Sequence, residues 1–286
     1  MGHPSGWTIQ QTSSQDHAKV SGLIASARWK HLHLDWIQPH QLAGQLPFLL
    51  AWHDGLPLCA LGCPPDPPQV AWIRVFAVTS GVSLGGSWEA LWQPSLAMLR
   101  EARVLHAAAL VSAGWMEPLL ERSGFSLEND VVFMEHRLSG IPEPPPHPGE
   151  LRPLRPADLP EVLSVDWRAF EGLWRFSTHT LKAALDSAGR ASAVEAEGKV
   201  VGYQITTESP FGAHLARLAV EPAWQGRGIG RALAVEALNW ADGRGLDVLS
   251  VNTQSDNAAG RRLYRSLGFL ESGQVFPVYG LPLTAP

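Results

Sequence analysis

The stretch that decides the fold is Leu218–Arg231, which reads Leu-Ala-Val-Glu-Pro-Ala-Trp-Gln-Gly-Arg-Gly-Ile-Gly-Arg. An apolar strand ends at Val220, a short turn follows, and glycines open a helix that runs to Gly243. Glycine lets the backbone approach a ligand closely and adopt dihedral angles that other residues avoid. The first amides of a helix lack internal partners, and with the helix dipole they suit a diphosphate. The stretch therefore predicts a phosphate-binding turn between a strand and a helix.

Two other phosphate-binding motifs fit this stretch less well. No Gly-Lys-Ser or Gly-Lys-Thr follows the glycines, which excludes a Walker loop. The glycines do not follow the strand immediately, and the next strand ends at Asn252-Thr253 without an acidic residue for a ribose, so a dinucleotide fingerprint is disfavoured. Glycines that only permit a tight turn remain an alternative. Arg227 and Arg231 favour the phosphate site, because guanidinium groups form charge-assisted bonds to phosphate.

A proline-rich run, Ile141–Gly149, divides the 286-residue chain. Consecutive prolines hold the backbone extended and remove hydrogen-bond donors, so the run is a semi-rigid linker. It separates an N-terminal domain, residues 1–140, from a C-terminal domain, residues 150–286. Hydrophobic patterns in the C-terminal domain predict the order β-α-α-β-β-β-α-β-α-β. This order indicates an α/β (mixed α+β) fold, with a mixed, mostly antiparallel twisted sheet flanked by helices.

The N-terminal domain repeats this order faintly. The segment Leu119–Phe125 (Leu-Leu-Glu-Arg-Ser-Gly-Phe) resembles Leu263–Phe269 (Leu-Tyr-Arg-Ser-Leu-Gly-Phe) about 144 residues later. We interpret the repeat as an internal duplication. A chance likeness between two helix ends is the alternative.

Two blocks of the C-terminal domain resemble the GNAT superfamily of N-acetyltransferases. Gln225–Gly230, after a Leu-Ala-Val strand, is similar to the acetyl-CoA pyrophosphate loop of that superfamily. Asn257–Ala259, followed by Tyr264, is similar to its second sequence block. The residues of the two blocks most resemble those of the ribosomal-protein alanine acetyltransferases. Together the blocks cover about Leu215–Leu270. The resemblance implies two GNAT-like domains, acetyl-CoA as co-substrate, no metal, and an acceptor amine on a small molecule or a protein N-terminus.

The resemblance also implies a role for each matched residue. The backbone of Leu218, Ala219 and Val220 pairs with the pantetheine arm as a partial extra strand, and the Val220 N–H polarises the thioester carbonyl. Tyr264 protonates the departing thiolate, unless it is only a core aromatic residue. Asn257 bonds the pantetheine arm, unless it is only a helix N-cap. The residues implied to hold the diphosphate are Gln225, Gly226, Arg227, Gly228, Ile229, Gly230 and Arg231.

One position departs from the pattern of the alanine acetyltransferases. They carry a glutamate on the strand before the second block, where this chain has Asn252, which cannot act as a base. We take Glu208 as the candidate base, with a solvated strand-end charge and proton removal through ordered water as alternatives. The presence of Tyr264 favours an enzyme over a silent binding protein. In that enzyme a neutral amine attacks the acetyl group directly in a ternary complex. The missing glutamate leaves open a catalytically silent acetyl-CoA sensor or scaffold.

An aromatic-rich segment, Asp166–Phe176, follows the first helix of the C-terminal domain. In GNAT proteins this region borders the acceptor cleft. The resemblance therefore implies that Trp167, Phe170 and Trp174 bind the substrate. Packing between the helices and the sheet is the alternative for each of them.

The N-terminal domain lacks the matching chemistry. Leu120 stands where the second domain has Tyr264, and Ala113 stands where it has Asn257. These replacements predict a degenerate GNAT-like domain without activity, which frames the acceptor site or stabilises the other half.

The remaining composition narrows the classes of partner. A net charge of −5 without a basic run argues against non-specific nucleic-acid binding. No apolar stretch reaches the length of a membrane span, so we expect a cytoplasmic protein without a membrane partner, either a monomer or a homodimer. His31 and His33 lack a third ligand, so we expect surface or loop histidines and no metal site.

Overall fold

The computed structural model describes residues 6–34, 36–210 and 212–283. These residues form two compact units. Unit 1 consists of the described residues through Glu128 together with those from Pro277 onward, and unit 2 is Asn129–Phe276. None of the described helices is both long and apolar enough to cross a bilayer.

Unit 1 contains seven strands and three helices of its own within the described residues. They are β1 (Thr8–Gln11), α1 (His17–Ser26), β2 (Trp29–Leu32), β3 (Phe48–His53), β4 (Leu56–Gly62), β5 (Val70–Trp72), β6 (Val75–Val78), α2 (Leu84–Glu101), β7 (His106–Leu110) and α3 (Glu117–Arg122).

Unit 2 contains a second set of elements, and two further strands contain the boundaries between the units. The elements of unit 2 are β9 (Glu150–Pro153), α4 (Leu159–Ala169), α5 (Thr178–Asp186), β10 (Arg190–Ala196), β11 (Lys199–Ser209), β12 (Gly212–Val220), α6 (Ile229–Gly243), β13 (Leu249–Gln254) and α7 (Ala258–Ser266). The boundary strands are β8 (Ser126–His136) and β14 (Leu270–Pro282).

The observed boundaries differ from the predicted domain limits at 140 and 150. Residues Val131–His136 of β8 pair antiparallel with β13, so the chain enters the sheet of unit 2 before the proline-rich linker. Residues Val278–Pro282 of β14 pair antiparallel with β7, so the end of the chain belongs to unit 1. Prolines mark a break in local structure, but strand pairing decides which residues pack together.

The sheet of unit 2 has the order β8-β13-β12-β11-β10-β9, and only the β12–β13 pair is parallel. Helix α6 covers one face of this sheet because its apolar residues recur with the helical period. Ile229, Leu233 and Ala237 of α6 are all buried, as the sequence predicts. Helix α4 contacts β11 and β12, and its buried Asp166 bonds to side chains of both strands, on the opposite face. The structure thus confirms the predicted mixed, mostly antiparallel sheet flanked by helices.

Unit 1 has an aromatic core beside its five-stranded sheet, which has the order β1-β3-β4-β6-β2. The rings of Trp88 and Trp92 on α2 stack with centroids 5.5 Å apart, and Phe76 meets Trp88 edge-on at 5.1 Å. Cys59 and Cys63 are buried in the same core, and burial raises the pKa of both thiols to about 12. Both thiols are therefore protonated at neutral pH and unreactive.

The two helix ends that match in sequence also match in their hydrogen bonds. The amide of Phe125 donates to the carbonyl of Leu120 at 3.1 Å, around a glycine with φ of +88°. The amide of Phe269 donates to the carbonyl of Tyr264 at 3.1 Å, around a glycine with φ of +95°. Leu120 in unit 1 and Tyr264 in unit 2 therefore occupy equivalent helix positions.

His31 lies in a strand and is buried, which corrects the expectation of a surface or loop histidine. It is 2% exposed on β2, and its Nε2 lies 2.9 Å from the carbonyl oxygen of Ile73. Burial lowers the pKa of His31 to about 4, and the bond to Ile73 opposes this shift. The imidazole is therefore neutral at pH 7.

The buried His31 predicts a loss of stability in mild acid. The unfolded chain binds this proton near pH 6.5 and the folded chain only near pH 4, so the free energy of unfolding should decrease as the pH falls through that window. The expected contribution is about 3 kcal/mol. Urea unfolding from pH 7 to pH 4 measures it. The substitution His31→Gln should flatten the dependence, and His179→Gln, at an exposed position, should leave it unchanged. An unaltered slope in His31→Gln would contradict this assignment.

Candidate functional site

The candidate site forms where β12 and β13 separate. The two strands pair in parallel only between Ala213–Leu215 and Leu249–Val251. At Ala216 the register between β12 and β11 shifts by one residue, which makes Ala216 a β-bulge. Beyond the bulge β12 continues along β11 while β13 continues along β8. A wedge therefore opens between the last residues of β12 and the last residues of β13.

The wedge exposes backbone groups of β12 that no described strand pairs with. The amide of Glu221 donates to Val201 of β11 at 2.9 Å. Successive residues of a strand direct their polar groups to opposite edges, so the amides of Val220 and Leu218 point into the wedge. The side chain of Gln225 donates to the carbonyl oxygen of Val220 at 3.1 Å from that side. This edge can accept an extended ligand as a partial strand.

The glycine-rich turn stands at the mouth of the wedge and begins α6. Gly226 and Gly228 have φ of +74° and +85°, a region that other residues rarely adopt. Gly228 is the N-cap, and the amide of Ala232 donates to its carbonyl at 2.9 Å as the first intrahelical bond. The amides of Ile229 and Gly230 precede that bond and are directed outward from the helix start. The backbone geometry that an anion site requires is therefore present, and anion binding itself remains a prediction.

The two arginines of the turn have protein partners. Arg231 donates to the hydroxyl of Ser266 at 2.9 Å, and Arg227 lies over the ring of Trp224 at 4.8 Å. Their contribution to a phosphate site remains a prediction, whereas the backbone amides need no rearrangement to form one.

Tyr264 lies on α7, 6% exposed, with its ring 5.5 Å from that of Phe269. Burial raises the pKa of its phenol, and the nearby Arg217 guanidinium acts in the opposite direction. The phenol is therefore protonated at neutral pH, which a general acid requires. Tyr264 also belongs to the core of unit 2, so its packing and its proposed chemistry are compatible.

Asn257 is the N-cap of α7. Its side-chain Oδ1 accepts from the backbone amide of Gly260 at 2.9 Å, and its side-chain Nδ2 donates to the hydroxyl of Thr253 at 2.9 Å. The helix N-cap that the sequence left as an alternative is therefore present. Binding of the pantetheine arm by Asn257 remains a prediction.

A buried ion pair, which the sequence did not reveal, lies on the α4 face of the sheet. Arg217 of β12 and Asp166 of α4 are 8% and 0% exposed, with a nitrogen–oxygen distance of 2.7 Å. Asp166 also accepts from the hydroxyl of Tyr203. The guanidinium of Arg217 lies between the rings of Phe170 and Phe176, at 3.5 and 3.6 Å from their centroids. This cluster joins the sheet to the segment after α4.

The three aromatic residues predicted to bind substrate surround this cluster. Phe170 covers Arg217, and the carbonyl oxygen of Trp174 accepts from Arg217 at 2.6 Å. Trp167 is 40% exposed and donates to the carbonyl oxygen of Phe176 at 2.6 Å. All three have packing partners, and a role in binding the acceptor remains a prediction.

The candidate base Glu208 lies away from the wedge, on the face of the sheet that α6 covers. It faces α6, where it accepts from Arg244 at 3.1 Å, and it pairs with Ala213 at the closed end of the β12–β13 pairing. His214, by contrast, lies on the α4 face, with Nε2 3.1 Å from Asn252 Oδ1 and Nδ1 2.9 Å from Ser250 Oγ. The structure thus brings a histidine, and not Glu208, to the position where the expected glutamate is missing.

Comparison with known proteins identifies the family. The model of the acetyltransferase (GNAT) family matches residues 159–269. A ribosomal protein bS18 alanine N-acetyltransferase of Escherichia coli strain K12 is 31% identical over 119 residues, which are 42% of this chain and 79% of that protein. The chain belongs to the GNAT family.

Further matches extend the GNAT likeness. A mycothiol acetyltransferase of Saccharomonospora viridis is 32% identical over 174 residues, 53% of this chain and 56% of that protein. The chain thus spans about half the length of most of the first curated relatives that it matches. A tandem GNAT protein from the clavulanic acid biosynthesis pathway shares the fold over 98% of this chain and 99% of its own, with a TM-score of 0.68 and 15% identity. A GNAT fold therefore extends over both units.

The ion pair of the GNAT unit predicts a large cost for removing one partner. In Arg217→Met the buried Asp166 would lose its cation, so the free energy of unfolding should fall by about 3–5 kcal/mol. Urea unfolding at pH 7 measures the change. The control Lys182→Met removes an exposed pair with Asp186 and should cost less than about 1 kcal/mol. Equal costs for the two substitutions would show that Arg217 is not held as described.

Proposed function

We propose that unit 2 transfers an acetyl group from acetyl-CoA to a primary amine by direct attack in a ternary complex. The observation that supports this most strongly is the wedge between β12 and β13, with outward amides at its mouth and Tyr264 on α7. The backbone offers two kinds of donor there, which match the two polar parts of acetyl-CoA. The start of α6 suits a diphosphate, and the free edge of β12 suits an extended amide-containing arm.

Each part of the proposed site has a distinct task. The Val220 amide donates to the carbonyl oxygen of the thioester and stabilises the negative charge that develops there. Tyr264 supplies a proton to the sulfur as the thiol leaves. The wedge orients the two reactants and excludes water from between the strands. No described group of three or more histidine, cysteine or carboxylate side chains could hold a metal.

The acceptor is proposed from the chemistry of related proteins. Their names specify mycothiol and the alanine of a ribosomal protein, which differ greatly in size. We propose that the acceptor here is a primary amine of a small molecule or of a peptide N-terminus. It reaches the wedge from the α4 face, where Phe170 and Trp174 are anchored by Arg217.

Binding of coenzyme A tests the first part of the proposal. The substitution Gly228→Leu should weaken it roughly 100-fold, about 2.7 kcal/mol. A side chain is strained at φ of +85°, and its Cβ would lie 3.0 Å from the carbonyl oxygen of Pro146. Gly243→Leu, at the other end of α6 where a Cβ meets nothing within 4 Å, should bind as the wild type does. Isothermal titration calorimetry measures both. Equal binding by the two variants would contradict the phosphate site.

Release of free thiol from acetyl-CoA tests the reaction. A suitable acceptor panel is a peptide with N-terminal alanine, glucosamine and spermidine. With the best acceptor, Tyr264→Phe should lower kcat about 10²–10⁴-fold and leave the affinity for coenzyme A unchanged, because only the proton donor is lost. Binding of acetyl-CoA without thiol release for any acceptor would instead favour a silent sensor or scaffold.

We further propose that unit 1 does not bind acetyl-CoA. The edge of β6 that corresponds to the free edge of β12 is occupied by β2, which pairs antiparallel from Trp29↔Val78 to Leu32↔Val75. A strand edge can form this pairing only once.

Stoichiometry tests this second proposal. Calorimetry should give one coenzyme A per chain, and Gly228→Leu should weaken that single binding event roughly 100-fold. A second equivalent that persists in Gly228→Leu would show that unit 1 binds the cofactor despite β2.

A further inference from the structure

The proposed reaction needs a group that removes a proton from the acceptor, because amines are protonated at neutral pH. Asn252 cannot do so, and Glu208 is paired with Arg244 on the other face of the sheet. A titratable side chain therefore has to be found on the α4 face, close to the wedge. His214 is on that face, one residue before the last β12–β13 pair.

Both ring nitrogens of His214 lie within hydrogen-bond distance of polar side chains. Nε2 lies 3.1 Å from the amide oxygen of Asn252, and Nδ1 lies 2.9 Å from the hydroxyl oxygen of Ser250. The Ser250 hydroxyl in turn donates to the carbonyl oxygen of Ala213 at 3.2 Å. With that proton directed away, Ser250 presents a lone pair to Nδ1. An imidazolium would find an acceptor at each nitrogen, so the site can hold a proton once it has received one.

A cavity of about 220 Å³ reaches His214 from the same face, at the end where β12 and β13 begin. Glu135 on β8 and Thr207 on β11 line it together with Ser250. A carboxylate and hydroxyl groups favour a hydrated or cationic group over an apolar one. An ammonium group that enters this cavity therefore meets the Glu135 carboxylate in the same cavity as His214.

We propose that His214 is the general base of this site and that Asn252 and Ser250 are its positioning residues. The proposal rests on the proposed acetyl transfer. Asn252 then has a function in place of the missing glutamate: it bridges the wedge from β13 and orients a base supplied by β12. The cavity at Glu135 receives the cationic end of the acceptor.

The proton and electron balance of the step is complete without another reactant. The imidazole of His214 takes one proton from the ammonium, and the neutral amine forms a C–N bond to the carbonyl carbon as the C–S bond breaks. Tyr264 gives its proton to the leaving sulfur. The second proton lost by the nitrogen restores the Tyr264 phenol through solvent, and His214 returns the first proton to solvent.

The charges around His214 determine the pH dependence. Burial lowers its pKa below the ordinary 6.5, and the bond to Asn252 opposes that shift. Below this pKa the imidazole is already protonated and cannot accept a proton, so kcat/KM should decrease on the acidic side. The polar and charged side chains that share its face include Glu135 of β8, Arg217 of β12, Asp166 of α4, Tyr203, Thr207 and Ser209 of β11, and Ser250 and Asn252 of β13.

Two measurements on the full chain test the proposal. NMR of the ring carbons should show, among the histidines that titrate below pH 6.5, one whose resonances disappear in His214→Gln. With the best acceptor of the panel, kcat/KM of the wild type should decrease in acid with that same pKa. His214→Gln should lose this limb and lower kcat about 10²–10³-fold. His179→Gln, at an exposed position on α5, should change neither.

A rescue separates a chemical role from a structural one. In the His214→Gln background, Asn252→Glu places a carboxylate beside the wedge and should raise kcat at least tenfold, with a limb at lower pH. If His214→Gln is unfolded, Asn252→Ala replaces it, and should move the acidic limb of kcat/KM and lower kcat.

The outcomes distinguish this proposal from the proposed function. Wild-type protein without thiol release contradicts both. Turnover in His214→Gln with an intact acidic limb, or no rescue by Asn252→Glu in a folded variant, overturns only the role of His214.

Discussion

One extra residue in one strand is the constraint on which the rest of unit 2 depends. The bulge at Ala216 lets β12 keep its pairing with β11 while it leaves β13 after three pairs. Without the bulge, the parallel pairing could continue and consume the amides of Leu218 and Val220. The same bulge reverses the alternation of the strand, so Arg217 faces α4 instead of α6. An open edge and a buried cation thus have a single cause.

The buried Arg217 would be costly without its surroundings, because a charge loses its hydration when it leaves water. Asp166 compensates the charge, and the rings of Phe170 and Phe176 cover both faces of the guanidinium. Since Trp174 also accepts from Arg217 through its carbonyl, an irregular segment without a regular helix is fixed to the sheet. The ion pair therefore fixes the segment after α4 to the sheet more than it contributes net stability.

Local signals in the sequence were sufficient for the fold of unit 2 and for the glycine-rich turn that begins α6. Glycines at positive φ, the N-cap Asn257 and the apolar period of α6 each act over a few residues. The sequence could not predict that the unit boundaries fall within β8 and β14, because each of these strands is placed by pairing with a strand that is distant in the chain. His214 and Asp166 were also missed, since their roles depend on partners 38 and 51 residues away. The one available signal of the buried ion pair was Arg217, a lone arginine in an apolar strand.

The two units share a fold but differ at the strand edge that corresponds to the free edge of β12. In unit 1, β5 pairs in parallel with β7 over three residues, and β6 then diverges as the end of β12 does. There β2 supplies the backbone partners that a ligand would have to supply in unit 2. A tethered strand pays no translational entropy and competes at very high effective concentration. The proposed lack of cofactor binding in unit 1 agrees with Leu120, which offers no proton where unit 2 has Tyr264.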